Sequence, residues 1–322
     1  MLTRRYLRIK VLQQLYEVSR KQETTLNTEE ERLIQRVHDI YNLYIHQLSF
    51  LLKIKDYAEQ RIEEGKQKYF PTQEELNPNM KFVRNMFLVQ LESNISLQKY
   101  IETYRINWAE QQDMIRNFYK KLIDSDLYKN YMAVEPQTYT EDKEFMMLLV
   151  FNLLADYESL RSHYESVKMD WVNDYDMALI MMEKTIRFFN KKDGPDKSLP
   201  SLYSAKNLPG KENDDQNFVR QLFRLVYRKS KEYEELIVAH TTNWDLDRIA
   251  LIDILIIKMA LAEFLNFPSI PTKVTINEYI ELSKLFSTPK SNVFVNGMLD
   301  TLMKELTDEG RIKKQGRGLI QK

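Results

Sequence analysis

Three features of the sequence predict an all-α protein. Residues that break helices are scarce, with 7 glycines and 9 prolines in 322 positions. Leu, Glu, Lys, Gln and Met, which favour helix, are abundant. Apolar residues recur at three- and four-residue intervals through the long segments, the spacing of one helix face. With 43% hydrophobic and 29% charged residues the chain can bury one large core or two ordinary ones.

The first helix is expected from residue 3 to about 19. Leu7, Val11, Gln14, Leu15 and Val18 form a stripe able to face a core. Arg5, Ile9, Leu12 and Tyr16 form a second row on the face left outward, and Arg4, Arg5, Arg8 and Lys10 crowd the first turns. Guanidinium groups beside an exposed aromatic suit an RNA backbone with splayed bases or a protein partner. Basic first turns also occur on plainly solvated helices.

A long helix follows from Thr28 to Lys66. It opens with Glu29, Glu30 and Glu31 and closes near Lys66, which complements the helix dipole at both ends. His38 and His46 are eight apart, but no third ligand accompanies them, so no metal site is expected.

Next comes a candidate repeat. Phe82 and Trp108, Phe145 and Trp171, and Phe218 and Trp244 are each 26 residues apart, and these are the 3 tryptophans of the chain. Acids Glu110, Asp174 and Asp245 follow, so segments 80–123, 143–190 and 216–264 read as helical hairpins with Trp at each corner, the alternative being unrelated helices with aromatics at that spacing by chance. On that reading Arg84 and Arg220 lie on the outer side of their helices. Loops are expected at 69–79, 124–140 and 191–215, where prolines cluster.

The block from Trp244 to Leu306 reads as three closely spaced helices broken at Pro268, Pro271 and Pro289. The first, about 247–264, is apolar almost all round and must be a core helix, since Asp253, Lys258 and Glu263 leave no clean bilayer span. The last, with Ser291 as N-cap, places Val295, Met298, Leu299, Leu302 and Leu306 on one face and Phe294 about a quarter turn away. An aromatic there is positioned to stack on something outside the protein. The tail from residue 307 onward, rich in Lys and Arg, is expected to be a disordered basic arm.

No catalytic pattern is present. HExxH, paired ExxH, GxxxxGK[ST], GxGxxG and GxSxG are all missing, and the chain has no cysteine. A non-catalytic binding protein without cofactor, metal or small-molecule substrate is expected. The amino terminus is interrupted by Arg4, Arg5 and Arg8 and holds no apolar leader, so a cytoplasmic location is expected. With 47 basic and 47 acidic residues, nucleic-acid affinity must come from local patches.

RIALIDILIIKMALAEF, IPTKVTINEYIELSKLFS and FVNGMLD, in that order, together with RRYLRIKVLQQLY at the amino terminus, resemble the NusB family of bacterial transcription antitermination factors. The resemblance implies a NusB-like helical bundle made of residues 1–20 and 216–306, a helical insertion at 21–190, a linker at 191–215 and a tail at 307–322. It implies binding of boxA-type single-stranded RNA together with NusE, the small-subunit ribosomal protein, and action with the RNA polymerase elongation complex on ribosomal transcripts. Carried over position by position, it puts RNA contact on Arg4, Arg5, Arg8 and Phe294, and NusE contact on Tyr16 and Asp253. Lys290 stands where the family often has a polar or acidic group, which adds a further basic contact for RNA, and Ile9 and Lys10 also depart from the small or polar residues typical there. The competing expectation is a non-catalytic protein-interaction scaffold whose insertion carries the function.

Overall fold

The computed structural model describes residues 2–203, 213–240 and 249–319, and all of its regular structure among these is helical. Among the described residues the one β feature is an isolated parallel bridge between Leu2 and Tyr203. No helix among the described residues is long and apolar enough to cross a membrane.

In chain order the helices are α1 (Arg4–Val18), α2 (Leu26–Lys66), α3 (Gln73–Leu76), α4 (Met86–Glu92), α5 (Ile95–Thr103), α6 (Gln112–Asp124), α7 (Asp126–Ala133) and α8 (Tyr139–Leu149). They continue as α9 (Glu158–Val167), α10 (Trp171–Phe188), α11 (Asp214–Arg228), α12 (Ser230–Ala239), α13 (Leu251–Asn266), α14 (Thr272–Phe286) and α15 (Pro289–Asp308). A π turn, Val150–Leu154, prolongs α8.

The chain divides into two compact units, an inserted unit of residues 38–202 and a terminal unit of residues 2–37 and 203–322. The division falls inside α2, later than the residue 20/21 boundary expected from the sequence. The cause is a set of carboxylates in the first turns of α2. Glu29 accepts from Gln14, Lys21, Thr24 and Arg32, and Glu30 is paired with Arg220 and Arg224 of α11. Burial works against both charges, but these partners hold each pKa below the usual carboxylate range. The start of α2 is thereby tied to the terminal unit.

In the terminal unit α13 is the core helix, with Ile256, Ile257, Met259, Ala260 and Leu261 all buried. It packs against α1, α11, α12, α14 and α15. The stripe expected on the last helix is the buried one, Val295, Met298, Leu299, Leu302 and Leu306. Its N-cap is Thr288, which accepts from the Ser291 amide, so the helix starts earlier than Ser291 with Pro289 in its first turn. The segment after α15 is not a disordered arm within the described residues. Lys314 Nζ donates to the carbonyls of Glu263 and Phe267 at the end of α13, and the Gln315 amide donates to Pro268 O. An ammonium at a helix carboxyl end satisfies carbonyls that have no intrahelical partner.

In the inserted unit the repeat does not appear. Segment 80–123 holds α4, α5 and α6, and segment 143–190 holds most of α8, then α9 and α10, so neither is a two-helix hairpin. Phe82 sits in a turn, whereas Phe145 is inside α8. Trp244 and Asp245 lie outside the described residues. Arg84 is exposed as expected, but Arg220 is turned inward onto Glu30. Trp108 and Trp171 do converge, with ring centroids 6.3 and 5.0 Å from that of His46. Trp108 and Trp171 thus share one aromatic cluster of the inserted unit and are not the corners of stacked copies. The loop expected at 124–140 contains α7, capped by Ser125 and anchored by buried Tyr131.

Candidate functional site

The site is built on α1. Thr3 caps it, its side chain accepting from the Tyr6 amide, and Leu7, Val11, Gln14 and Leu15 are buried. Arg8 lies on that same inner side. It is 2% exposed and donates through Nε and Nη2 to both oxygens of Glu263 at 2.9 and 2.8 Å. Glu263 also accepts from Thr275 Oγ1 at 2.8 Å and from Tyr279 OH at 3.2 Å. Burial alone would lower the Arg8 pKa, but the Glu263 carboxylate more than offsets it and the guanidinium is held above its ordinary value. Arg8 is therefore turned away from the RNA-facing surface that the sequence predicts for it. All of its planar donor fork faces carboxylates and the rings of Phe218 and Tyr279. Lys10 is likewise buried, with its ammonium over the Tyr6 ring.

Arg4 and Arg5 do reach solvent. Their side chains are 40% and 44% exposed, Arg4 paired with Asp215 and Arg5 bidentate on Glu278 at 3.0 and 2.9 Å. Such partly exposed pairs contribute little to stability, about 0–1 kcal/mol, and a phosphate oxygen can exchange for the carboxylate. Lys290 and Phe294 lie on a different element, in the first two turns of α15. Lys290 is exposed, Phe294 is half-buried, and neighbouring Val293 is exposed. The structure thus groups Arg4 and Arg5 at the start of α1 and Lys290 with Phe294 at the start of α15.

A groove of about 480 Å³ opens beside the second half of α1. Leu12, Gln13, Tyr16 and Arg20 line one side, Ala250, Leu251 and Ile252 another, and Phe286 closes it. The Arg20 guanidinium lies 4.7 Å from the Tyr16 ring centroid and also donates to the Tyr16 hydroxyl, fixing the aromatic wall. Tyr16 therefore sits where a partner could reach it. Asp253, one residue beyond Ile252, does not: it is 3% exposed in the first turn of α13, with its Oδ1 unpaired among the described residues. An acid in the first turn of a helix also complements the helix dipole.

Sequence reasoning missed Glu263 as the centre of the core and Phe286 and Arg20 as groove walls. An acid in the last turns of a helix that is apolar all round was the signal for Glu263, since such a group needs a cationic partner. Among residues 1–37 and 203–322 there are 26 Lys and Arg against 21 Asp and Glu, and among 38–202 the counts are 21 against 26. The zero net charge of the chain hides a basic terminal unit and an acidic inserted one.

The NusB family model matches residues 187–304. The chain is 40% identical over 121 residues to a transcription antitermination protein NusB of Salinibacter ruber, covering 37% of this chain and 76% of that relative. It is 39% identical to the protein of that name from Chloroherpeton thalassium over 32% of this chain and 49% of the relative, and 38% identical to that of Koribacter versatilis over 32% and 70%. Among solved structures it is similar to T. maritima NusB, with 25% identity over 51% of this chain and 91% of that one, at a TM-score of 0.27, a likeness too low to bear on the fold. The residues that carry the match include α11, α13, α14 and most of α15, the packed core onto which Arg8 locks α1, and on the 40% identity over 76% of a relative this chain belongs to the NusB family, as a non-catalytic transcription antitermination factor with a large helical insertion.

Proposed function

We propose that the terminal unit binds boxA-type single-stranded RNA in ribosomal transcripts, jointly with NusE, and so couples the transcript to the RNA polymerase elongation complex. The observation that carries this reading is the pair of exposed guanidinium groups, Arg4 and Arg5, at the start of α1 in a unit with an excess of basic residues. Lys290 and Phe294 supply a further phosphate contact and a base-stacking ring. Arg8 acts at one remove, by fixing the helix that presents the other two. The groove walled by Tyr16 and Phe286 takes NusE, an apolar cleft with a polar rim being what a protein partner needs. Filter binding of boxA-type RNA, with and without NusE, tests the reading. Tighter binding with NusE, lost when the boxA sequence is scrambled, is expected, and equal retention of scrambled RNA would overturn it.

A protein-interaction scaffold is the second reading, favoured by the inserted unit's own compact core and by Tyr69 and Phe70, which are 90% and 84% exposed. Failure of any RNA to bind in that assay would favour it.

A further inference from the structure

We propose that the inserted unit has a contact of its own for single-stranded RNA, at the turn that follows α10, where Lys191 and Lys192 hold the phosphate backbone and the Phe188 ring stacks on a base. The unit as a whole does not invite an anion. Residues 187–197 nonetheless hold 4 Lys and Arg against 2 Asp and Glu, whereas the rest of residues 38–202 holds 17 against 24. A cationic stretch in an acidic unit is a local feature, and local features are what nucleic acids read.

The two lysines are presented on a braced turn. They are its central residues, and the Asp193 amide closes it by donating to Asn190 O at 3.0 Å. The Asp193 carboxylate accepts from the Asn190 amide at 2.9 Å, and Gln90 Nε2 of α4 donates to Asn190 O and Asp193 O at 3.0 and 2.8 Å. Gln90 in turn accepts from the Tyr139 hydroxyl of α8 at 2.6 Å. Turn centres favour Gly, Pro, Asn, Asp and Ser for conformational reasons that lysine does not share. Lys191 and Lys192 thus do nothing for the turn; both are exposed, and neither has an ion-pair partner among the described residues. A fixed base that offers two cations binds a strand at a smaller ordering cost than a loose arm does.

Around the turn stand an aromatic ring and further cations. Phe188, the last residue of α10, is 43% exposed, while Phe189 beside it takes the buried place. Lys197 Nζ lies 4.5 Å from the Phe188 ring centroid. Lys143 Nζ donates to Phe189 O at 2.7 Å and to Arg187 O at 3.3 Å, and its pKa is lowered by burial and then by the Arg187 guanidinium. Arg187 is paired with Glu183 but keeps 62% of its side chain exposed, so a phosphate can exchange for that carboxylate. Like charges held this close are relieved by an anion. Asp193 is turned into the turn, and Asp196, exposed on the next one, opposes the lysines. An open ring among phosphate-binding cations suits a single strand, whose bases are free to stack, whereas a membrane surface asks for a wider apolar face. The strand at hand for a transcription antitermination factor is the nascent transcript.

Filter binding of an unstructured oligouridine of about 20 nucleotides to the full chain tests this contact without any boxA element. The double change Lys191→Glu with Lys192→Glu is expected to weaken binding about tenfold and to reduce the slope of log affinity against log salt by about 1.4, with melting unchanged. Phe188→Ala is expected to weaken binding about fivefold and leave the slope alone, since a stacked ring carries no charge. Asp196→Asn is expected to tighten it. All of these variants are expected to keep wild-type affinity for a short boxA RNA, so a failure of boxA binding strikes the reading of the terminal unit and leaves this one standing. An unaltered affinity and slope in the lysine variant overturns the inference, as does a Phe188→Ala that binds like wild type or an oligouridine that the wild type does not retain. Vesicles of phosphatidylserine that bind the wild type in place of oligouridine would assign the turn to a membrane surface and overturn it as well.

Discussion

Arg8 and Glu263, 255 residues apart in sequence, meet as a two-pronged ion pair with side-chain exposures of 3% and 0%. That contact adds a buried ion pair to the apolar stripe by which α1 packs on α11 and α13. Removing one partner of such a pair leaves a buried charge uncompensated, which costs about 3–5 kcal/mol. Arg8→Ala is therefore expected to lose about that much in urea denaturation, far more than Arg4→Ala or Arg5→Ala. The double change Arg8→Met with Glu263→Leu is expected to recover a large part of the loss, because no charge is then stranded.

RNA affinity should respond the other way round. Each phosphate contact on a single strand contributes about 0.7 to the slope of log affinity against log salt. Changing Arg4 and Arg5 to Ala is expected to flatten that slope by about 1.4 while melting stays near wild type. Glu278→Gln, which releases the Arg5 guanidinium from its carboxylate, is expected to tighten RNA binding. An unaltered slope in the double variant would remove the start of α1 from the RNA site.

Phe294 separates stacking from packing. Alanine in place of a ring stacked on a base costs about 1–3 kcal/mol of binding, whereas truncating a core Phe costs about 3–5 kcal/mol of stability. Half-buried on α15, Phe294 is expected to show the first effect strongly and the second weakly. Phe264 of α13, which is fully buried, serves as the control with the opposite pattern.

Two histidines give stability opposite slopes with pH. Burial among Trp108, Tyr164 and Trp171 lowers the His46 pKa from 6.5 to about 4. Between those values the unfolded chain takes up a proton that the folded one refuses, so stability falls as pH drops through that window, by up to about 3 kcal/mol. His46→Gln is expected to remove most of that acid loss. His240 is raised instead, by the Leu236 carbonyl it donates to and by Glu305. Its contribution is full below 6.5 and fades as pH rises through the raised value, and His240→Asn is expected to erase that alkaline fade. Thermal melts from pH 4 to 8 on the two variants resolve both slopes.

The strap after α15 has a tight spot. A Cβ on Gly318 would meet Pro268 O at 2.0 Å, so Gly318→Ala is expected to lift the strap from α13. Lys314, whose pKa burial lowers to about 8, would then regain solvent, and faster amide exchange at the end of α13 would report it.

Much of the core was legible because a helix that buries one side must repeat apolar residues along it. Leu7, Val11 and Leu15 on α1, and Val295, Leu299 and Leu302 on α15, follow from spacing alone. Arg8 was misread because spacing gives a direction and not a partner: it points inward beside Leu7 and Val11, and only the fold supplies Glu263 at the end of its fork. The tail was misread for a similar reason. Its composition is that of a solvated arm, yet a lysine can be drawn inward by the bare carbonyls at a helix end. Tyr16 was placed correctly on the outer row of α1, but a groove needs a second wall, and Phe286 lies too far along the chain for local patterning to join the two.

The order in which the chain is made gives the insertion a further consequence. The buried stripe of α1 rests on α11 and α13, so the first helix must wait for roughly 230 residues before its packing partners exist. At ~5–20 residues per second that delay is about 10–50 s, during which the inserted unit has the residues it needs to fold. For that interval the apolar side of a basic helix has no partner to cover it.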